Sequence, residues 1–308
     1  MTKAVQFDRY GDIDVLEVRD IPRPIPAPGE VLVAVQAAGL NPGEAMIRKG
    51  LLHDRWPATF PSGQGSDLAG VIVESGPGVD EFAIGDEVLG FSLRRTSHAE
   101  HVAVPVQQLA AKPAGVSWEV AGSLYVAGST AYAAVGSVGL TAGDTVAIAG
   151  AAGGVGSIAV QLARRTGATV LGIAGPSNDD WLAEHGTIPV NYGDGLADRL
   201  RAASPTGRVD ALLDFFGGGY VALAVDQLGV APQRVDTIID FGAIERYGVL
   251  GVGSAEATSA AVIAELARLV ADGELEVPVA AVFPLDEVRA AYRRLEDRHT
   301  RGKLVLRP

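Results

Sequence analysis

The feature that most constrains the fold is a glycine-rich turn between an apolar strand segment and an amphipathic helix, within residues 144–174. Gly150, Gly153 and Gly156 are spaced as G-x-x-G-x-x-G. A Cβ at these positions would obstruct a tight turn, the approach of a pyrophosphate, and close packing of the helix on its strand. The stretch therefore predicts a dinucleotide-binding turn, and an ordinary glycine-rich turn is the alternative. The residues we assign to the phosphate contact are Gly150, Gly153, Gly154, Val155 and Gly156.

Composition narrows the class of protein. A length of 308 residues allows about two domains, and 25 basic against 37 acidic residues give a net charge of −12, which disfavours nucleic acid and anionic membranes as partners. The absence of cysteine excludes disulfides, iron–sulfur clusters, cysteine nucleophiles and thiolate zinc sites. No long apolar run and no secretory signal pattern are visible, so we expect a cytoplasmic enzyme acting on a small molecule.

The pattern of secondary structure changes along the chain. Up to about residue 113, short alternating strands such as the one around Val31, Val33 and Val35 are separated by turn signals, which indicates a β-rich module. From about residue 118, helical and strand segments alternate, which indicates a parallel sheet. The later strands are predicted at 211–216, 237–241, 247–252 and 303–306, and helices at 257–271 and 285–295.

Several motifs together resemble a known family. AAGLNP at 37–42, GSDLAGVIVESGPGV at 65–79, HAEHVAVP at 98–105, STAYAAV at 129–135 and HTRGKLVLRP at 299–308 are similar to the medium-chain dehydrogenase/reductases, and more narrowly to their zinc-free quinone oxidoreductase branch. The resemblance implies an α/β protein. A GroES-like β-rich catalytic domain would comprise residues 1–120 together with 275–308, and a doubly wound Rossmann cofactor domain residues 121–274. It also implies an active site in the cleft between them and a homodimer.

The resemblance bears directly on zinc. In the zinc alcohol dehydrogenases of the superfamily, metal ligands occupy the positions that match Asn41, Ser66 and Val126, none of which offers a thiolate or an imidazole. We therefore expect no metal site and no oxidation of simple alcohols. A quinone, or an alkene conjugated to a carbonyl, accepts a hydride with less polarisation by a metal ion than a simple ketone requires. Hydride transfer to such an acceptor is therefore the expected reaction.

The expected cofactor is NADPH. NAD sites usually place a carboxylate at the end of the second strand, where this chain has Ala174. Ser177 and Asn178 follow in a polar loop, and Tyr192 matches a tyrosine that contacts the 2′-phosphate in NADPH-dependent relatives. The loop can equally be a solvated turn. Dual use of both nicotinamides stays open because no lysine or arginine stands beside this loop and Asp179 follows it.

Three further cofactor contacts follow from position in the resembled family. Asn41 matches an asparagine beside the nicotinamide ribose, and its alternative is a turn residue before proline. Thr130 matches a threonine that hydrogen-bonds the cofactor, and its alternative is a helix N-terminal residue. Phe241 is placed along the nicotinamide, with core packing as the alternative.

The proton donor is the least constrained part of the prediction. Met46 stands where many relatives have a tyrosine, and a thioether donates no proton. His98 and Tyr125 are the candidate catalytic residues, and a packed histidine is the alternative for His98. The sequence thus predicts an NADPH-dependent quinone or enone reductase. The alternatives are an enoyl reductase of fatty-acid or polyketide type and a non-catalytic NADPH-binding protein.

Overall fold

A computed structural model describes residues 1–308, which form fifteen β-strands and ten α-helices, numbered here in chain order. The strands are β1 (Thr2–Phe7), β2 (Glu17–Ile21), β3 (Glu30–Gly39), β4 (Ser62–Gly63), β5 (Asp67–Ser75), β6 (Glu87–Phe91), β7 (His101–Pro105), β8 (Leu109–Ala111), β9 (Thr145–Ala149), β10 (Thr169–Ala174), β11 (Ile188–Asn191), β12 (Ala211–Asp214), β13 (Val235–Thr237), β14 (Val279–Pro284) and β15 (Lys303–Arg307). The helices are α1 (Pro42–Arg48), α2 (Trp118–Ala121), α3 (Tyr125–Ser137), α4 (Gly156–Arg165), α5 (Asp179–Glu184), α6 (Leu196–Ala203), α7 (Tyr220–Ala222), α8 (Phe241–Tyr247), α9 (Ala260–Ala271) and α10 (Val288–Glu296).

Contacts divide the chain into two compact units: unit 1 comprises Met1–Val126 and Ser259–Pro308, and unit 2 comprises Ala127–Thr258. The sequence placed the two boundaries at 120/121 and 274/275. Helix α9 accounts for much of the difference, because it packs against β6 and β8 of unit 1. It buries Ile263 and Leu266, which a helical pattern alone cannot assign to either module.

Unit 1 contains two β-sheets. One has the strand order β2-β1-β4, and the other has the order β14-β15-β3-β5-β6-β8, with β7 also paired to β3. The buried face of β3 carries Val31, Val33 and Val35, which share a core with Ile72 and Val88, as their alternation in sequence predicts. Strand β15 pairs antiparallel with β3, so the C-terminal segment completes the sheet built by the N-terminal sequence.

Unit 2 is built on one parallel sheet with the order β11-β10-β9-β12-β13. Counted from β9, this order is 3-2-1-4-5, that of a doubly wound dinucleotide-binding fold, and the winding reverses between β9 and β12. Residues 146–149 of β9 are fully buried, because helices cover both faces of such a sheet. The predicted α/β architecture, with a β-rich GroES-like unit and a Rossmann unit, is confirmed.

Two strand predictions in unit 2 were wrong in detail. The apolar run 237–241 is not a strand, because β13 ends at Thr237 and Phe241 begins α8. The side chain of Asp240 accepts a hydrogen bond from the Ala243 amide and caps that helix. Residues 247–252 form no strand either, and contribute only an isolated parallel bridge between Leu250 and Asp236. No helix of the structure combines the length and the apolar character needed to cross a bilayer.

Candidate cofactor and active site

The glycine-rich turn after β9 gives each of its three spaced glycines a different geometry. Gly150 has φ +70°, a conformation that L side chains rarely adopt. A Cβ on Gly156 would lie 2.1 Å from the Gly150 carbonyl oxygen and 2.8 Å from the Cα of Ala151, so α4 packs directly on the turn. A Cβ on Gly153 would meet only the Gly150 oxygen, at 3.2 Å. The turn is therefore an open cradle at a helix N-terminus, which fits a pyrophosphate.

Asp214 orders the segment that faces this turn at the end of β12. Its buried Oδ1 accepts hydrogen bonds from the amides of Phe216 (3.0 Å) and Gly217 (2.8 Å), and Oδ2 accepts one from the Thr237 hydroxyl (3.0 Å). Burial raises the pKa of Asp214, and these hydrogen bonds act in the opposite direction. The result is a fixed backbone beside Gly150, where a Cβ on that glycine would lie 3.5 Å from the Cβ of Phe216.

The ends of β10 and β11 form the other side of the same edge. Ala174 lies opposite Asn191, whose Nδ2 donates to both carboxylate oxygens of Asp179 at 3.1 and 3.2 Å. Tyr192 follows and is 55 % exposed, and its Oη would lie 3.3 Å from a Cβ on Gly175. This part of the edge therefore presents a tyrosine hydroxyl, a strand end without a carboxylate, and an aspartate already engaged by an amide.

The predicted cofactor residues of unit 2 lie at this carboxyl edge, with one exception. Ser177 and Asn178 lie in a 3₁₀ turn after β10, and Phe241, which is partly buried, begins α8 after β13. Thr130 instead lies inside α3 and is buried, next to Ser129, whose buried hydroxyl has no partner. The residues gathered at the edge are Gly150, Gly153, Gly154, Val155, Gly156, Ser177, Asn178, Tyr192 and Phe241.

Asp236 on β13 is a second buried carboxyl group of unit 2. Its Oδ1 accepts a hydrogen bond from the Val252 amide at 2.7 Å, whereas its Oδ2 has no partner. Burial, with a smaller contribution from Glu256, raises the pKa of Asp236 to about 7. The folded protein therefore binds a proton here at pH values where the unfolded chain has released it.

We expect Asp236→Asn to stabilise the protein at pH 8 by about 3 °C in Tm. The folded-state pKa lies above the ordinary value of 3.8, so the stability present at low pH is lost as the pH rises through about 7. The asparagine removes that loss, and the advantage should shrink toward pH 4. Thermal melts from pH 4 to 8 measure the difference in Tm between variant and wild type, with Asp80→Asn, at an exposed position, as the control. A constant difference between variant and wild type would contradict this assignment.

In unit 1, two buried carboxylates join the three positions that match zinc ligands in the resembled enzymes. Asn41 donates through Nδ2 to Asp67 Oδ2 and to Glu44 Oε1, both at 3.2 Å. The amide of Ser66 donates to Glu44 Oε1 at 2.8 Å, and the amide of Val126 donates to Asp67 Oδ1 at 2.7 Å. Hydrogen bonds thus connect these positions, and no group of three or more His, Cys, Asp or Glu is arranged to hold a metal ion.

Lys303 supplies the positive charge of this group. Its side chain is 3 % exposed, and Nζ donates to Leu40 O at 3.0 Å, Asn41 Oδ1 at 2.5 Å and Asp67 Oδ2 at 3.3 Å. Burial raises the pKa of Asp67, and the neighbouring ammonium acts against that rise. We call Asn41, Glu44, Asp67, Tyr292 and Lys303 the polar cluster.

Tyr292 closes the polar cluster on the side of Glu44. Its hydroxyl donates to Glu44 Oε2 at 2.9 Å and accepts a hydrogen bond from Gln64 Nε2 at 2.7 Å. Burial and the Glu44 carboxylate raise the pKa of Tyr292 well above its ordinary value, so the hydroxyl stays protonated. The amide nitrogen and the carbonyl oxygen of the Asn41 side chain both have hydrogen-bond partners inside the polar cluster. A contact between Asn41 and the cofactor, as predicted, would therefore use atoms that already make these hydrogen bonds.

His98 and Tyr125, the predicted catalytic residues, are both buried. His98 Nε2 donates to the Gly39 carbonyl at 3.1 Å, and Nδ1 has no partner. The backbone of Gly65 rests on the imidazole, since a Cβ there would lie 2.2 Å from Cδ2. The Tyr125 ring stacks on Phe91 with centroids 4.2 Å apart. This geometry gives both rings a packing role, and their part in proton transfer stays a prediction.

Our sequence reasoning missed Glu44, Asp67, Tyr292 and Lys303. A signal was available: Asp67 opens the apolar segment LAGVIV, and Lys303 precedes LVL in the final strand. A charge on the buried face of a strand requires a partner, which predicts an ion pair between distant segments.

Two family models match this chain. Residues 27–135 match the alcohol dehydrogenase GroES-like domain, and residues 189–306 match the model described as zinc-binding dehydrogenase. The first range covers strands β3 to β8 and nearly all of helix α3, and the second runs from β11 to β15. The description of the second model mentions zinc, but this chain contains no cysteine to supply a thiolate ligand.

Full-length similarity is found to quinone oxidoreductases. The quinone oxidoreductase of Pseudomonas aeruginosa is 30 % identical over an alignment of 332 residues that covers 100 % of both chains. The structure of the quinone oxidoreductase from Coxiella burnetii has a TM-score of 0.88 and 31 % identity, covering 100 % of this chain and 99 % of that one. The Escherichia coli quinone oxidoreductase complexed with NADPH has a TM-score of 0.88 and 25 % identity, covering 99 % and 100 %.

Proposed function

We propose a function for this chain on the basis of its family, because it belongs to the medium-chain dehydrogenase/reductase superfamily, in the branch that contains the quinone oxidoreductases. The proposed function is the NADPH-dependent reduction of quinones or α,β-unsaturated carbonyl compounds. Its relatives make it an NAD(P)H oxidoreductase. The choice of NADPH and the class of acceptor are the parts that we propose.

The observation that carries the proposal is the carboxyl edge of the unit 2 sheet. The open cradle at Gly153 and the start of α4 fit a pyrophosphate, and Gly150 allows the turn that forms it. At the end of β10, Ala174 offers a methyl group where an NAD site places a ribose-binding carboxylate that repels a 2′-phosphate. The exposed Tyr192 hydroxyl beside Gly175 can donate to that phosphate, as expected from the resemblance. The NADPH complex of the Escherichia coli relative supports this choice.

The chain's own residues limit which acceptors it can serve. When bound, the nicotinamide supplies the hydride, and the protein contributes binding and orientation. The positions Asn41, Ser66 and Val126 carry no soft ligand, so nothing on this chain polarises a simple ketone as zinc does. Hydride transfer to a quinone produces a stabilised phenolate-like anion, which can take its proton from water. Reduction of a quinone therefore does not require a proton donor at position 46, where this chain has a methionine.

A paired titration and turnover experiment tests the proposal. Quenching of tryptophan fluorescence should show tighter binding of NADPH than of NADH, and turnover should occur with 9,10-phenanthrenequinone or an activated enone but scarcely with simple ketones. Activity should survive prolonged chelation. Tighter binding of NADH would overturn the choice of cofactor. NADPH binding without turnover on any quinone or enone would favour a non-catalytic NADPH-binding protein, and turnover restricted to thioester enoyl substrates would favour an enoyl reductase.

The predicted role of His98 has its own test. If His98 donates the proton, His98→Ala should depress enone reduction by about 100-fold and quinone reduction much less, because an enolate is the more basic product. His98→Gln can keep an N–H donor near the Gly39 carbonyl, although it cannot act as an acid near neutral pH. Recovery of enone reduction in the glutamine variant, measured by NADPH absorbance at saturating acceptor, would reduce His98 to a packing residue.

A further inference from the structure

The loop that follows β11 is shaped to hold one guanidinium group. This Tyr192 loop, residues 191–195, contains Gly193 and Gly195 at φ +118° and +74°, and three of its carbonyls face the same guanidinium group. Arg199 on α6 donates Nε and Nη2 to the Asn191 carbonyl at 3.2 and 2.9 Å, Nη2 to Gly193 O at 3.1 Å, and Nη1 to Asp194 O at 2.5 Å.

The Arg199 guanidinium is held without an ion pair. All four of these hydrogen bonds go to backbone carbonyl oxygens, and Asp194 contributes its carbonyl rather than its carboxylate. Arg201 on the same helix differs, because it pairs with Asp198 at 3.0 Å. Asp179, the acidic residue that contacts Asn191, is occupied by the Asn191 amide. The guanidinium therefore brings to the loop a positive charge that no hydrogen-bonded carboxylate neutralises.

The loop lies close to the place where NADPH and NADH differ. Asn191, bound by Arg199, pairs with Ala174 across one strand spacing of about 4.8 Å. Tyr192 projects from the loop so that its hydroxyl lies beside Gly175. Salt screens a half-buried cation such as Arg199 less than it screens a fully exposed one, so its charge can act on a phosphate bound beside the loop.

We infer that Arg199 is the cation that sets the preference for a 2′-phosphate: it positions Tyr192 and supplies the positive charge that the sequence of the 175–178 loop lacks. The inference rests on the proposed use of NADPH and adds the residue responsible. Arg199 acts on the phosphate through the loop it holds and through its field, so it is a positioning and specificity residue rather than a catalytic one.

The test uses 2′,5′-ADP and 5′-AMP, which differ in the phosphate and require no turnover. Isothermal titration of the full chain should show that Arg199→Gln weakens 2′,5′-ADP binding about tenfold and 5′-AMP binding less than twofold. Arg199→Lys should recover part of the loss, because it restores the charge without all the carbonyl contacts. Arg201→Gln removes one positive charge from the same helix and should change neither affinity. The salt dependence of 2′,5′-ADP binding should also weaken in Arg199→Gln.

The outcomes separate this inference from the proposed function. If the wild-type protein binds 2′,5′-ADP no more tightly than 5′-AMP, the choice of NADPH fails. If the wild-type protein prefers 2′,5′-ADP and Arg199→Gln keeps that preference, Arg199 is not the cation. If Arg199→Gln weakens the binding of both nucleotides equally and Arg199→Lys recovers neither affinity, Arg199 only stabilises the structure of the loop. That result would also overturn the inference.

Discussion

Gly153→Val is expected to abolish NADPH binding while leaving the protein folded. A Cβ at this position meets only the Gly150 carbonyl oxygen, at 3.2 Å, so small adjustments of the turn accommodate it. The branched side chain would nevertheless occupy the cradle in which the pyrophosphate must approach the backbone. We expect the Kd for NADPH to rise by about 100-fold or more, which corresponds to the loss of several phosphate hydrogen bonds. Fluorescence titration and a thermal melt of the same sample measure the two effects.

Two glycine variants serve as controls for this result. Gly156→Val should lose both binding and stability, because its Cβ would lie 2.1 Å from a backbone oxygen that cannot move without opening the turn. Gly43→Val, in unit 1, has no atom within 4 Å of its Cβ and should change the affinity for NADPH little. Near-normal NADPH affinity in Gly153→Val would show that the pyrophosphate lies elsewhere.

Lys303→Met is expected to destabilise the protein by about 3–5 kcal/mol, because it leaves the carboxylate of Asp67 buried without its cation. The ammonium is also hydrogen-bonded to Leu40 O and Asn41 Oδ1, so both acceptors lose their donor. Urea unfolding followed by circular dichroism measures the change. Lys3→Met provides a matched control, since Lys3 pairs with Asp286 at an exposed position and its loss should leave the midpoint nearly unchanged.

The double variant Lys303→Met with Asp67→Asn distinguishes an ion pair from simple packing. Removing both charges eliminates the uncompensated carboxylate, so the double variant should be more stable than Lys303→Met alone, with a coupling free energy of about 1–3 kcal/mol. Additive losses would mean that Lys303 stabilises unit 1 through its hydrocarbon chain rather than its charge.

Sequence predicts unit 2 well because its signals are local. The apolar run of β9, the glycine spacing and the amphipathic α4 are contiguous, so one segment predicts the strand, the turn and the helix dipole together. The limits appear where a side chain overrides an apolar pattern. Asp240 caps α8, so the run after Thr237 leaves the sheet although its residues favour a strand.

The polar cluster of unit 1 was not predictable in the same way. Asp67 and Lys303 are 236 positions apart, and they come within 3.3 Å because β3 pairs both with β5, which carries Asp67, and with β15, which carries Lys303. The resemblance directed attention to Asn41, Ser66 and Val126 as former ligand positions, but not to the two carboxylates that now connect them. His98 shows the converse: a titratable residue in a suggestive motif is fully buried against Gly65.

Transfer of deuterium from the nicotinamide to an acceptor is the decisive measurement for NADPH-dependent reduction by this protein. The purified protein should be incubated with an activated enone and NADPH that carries deuterium in both C4 positions of the nicotinamide, so that either face of the ring delivers deuterium. The product is then analysed by mass spectrometry and NMR. We predict one deuterium at the β-carbon, a solvent proton at the α-carbon, and the same outcome after chelation of metal ions. Reduced product without deuterium at the β-carbon, or no oxidation of NADPH with any enone or quinone, would contradict direct hydride transfer by this protein.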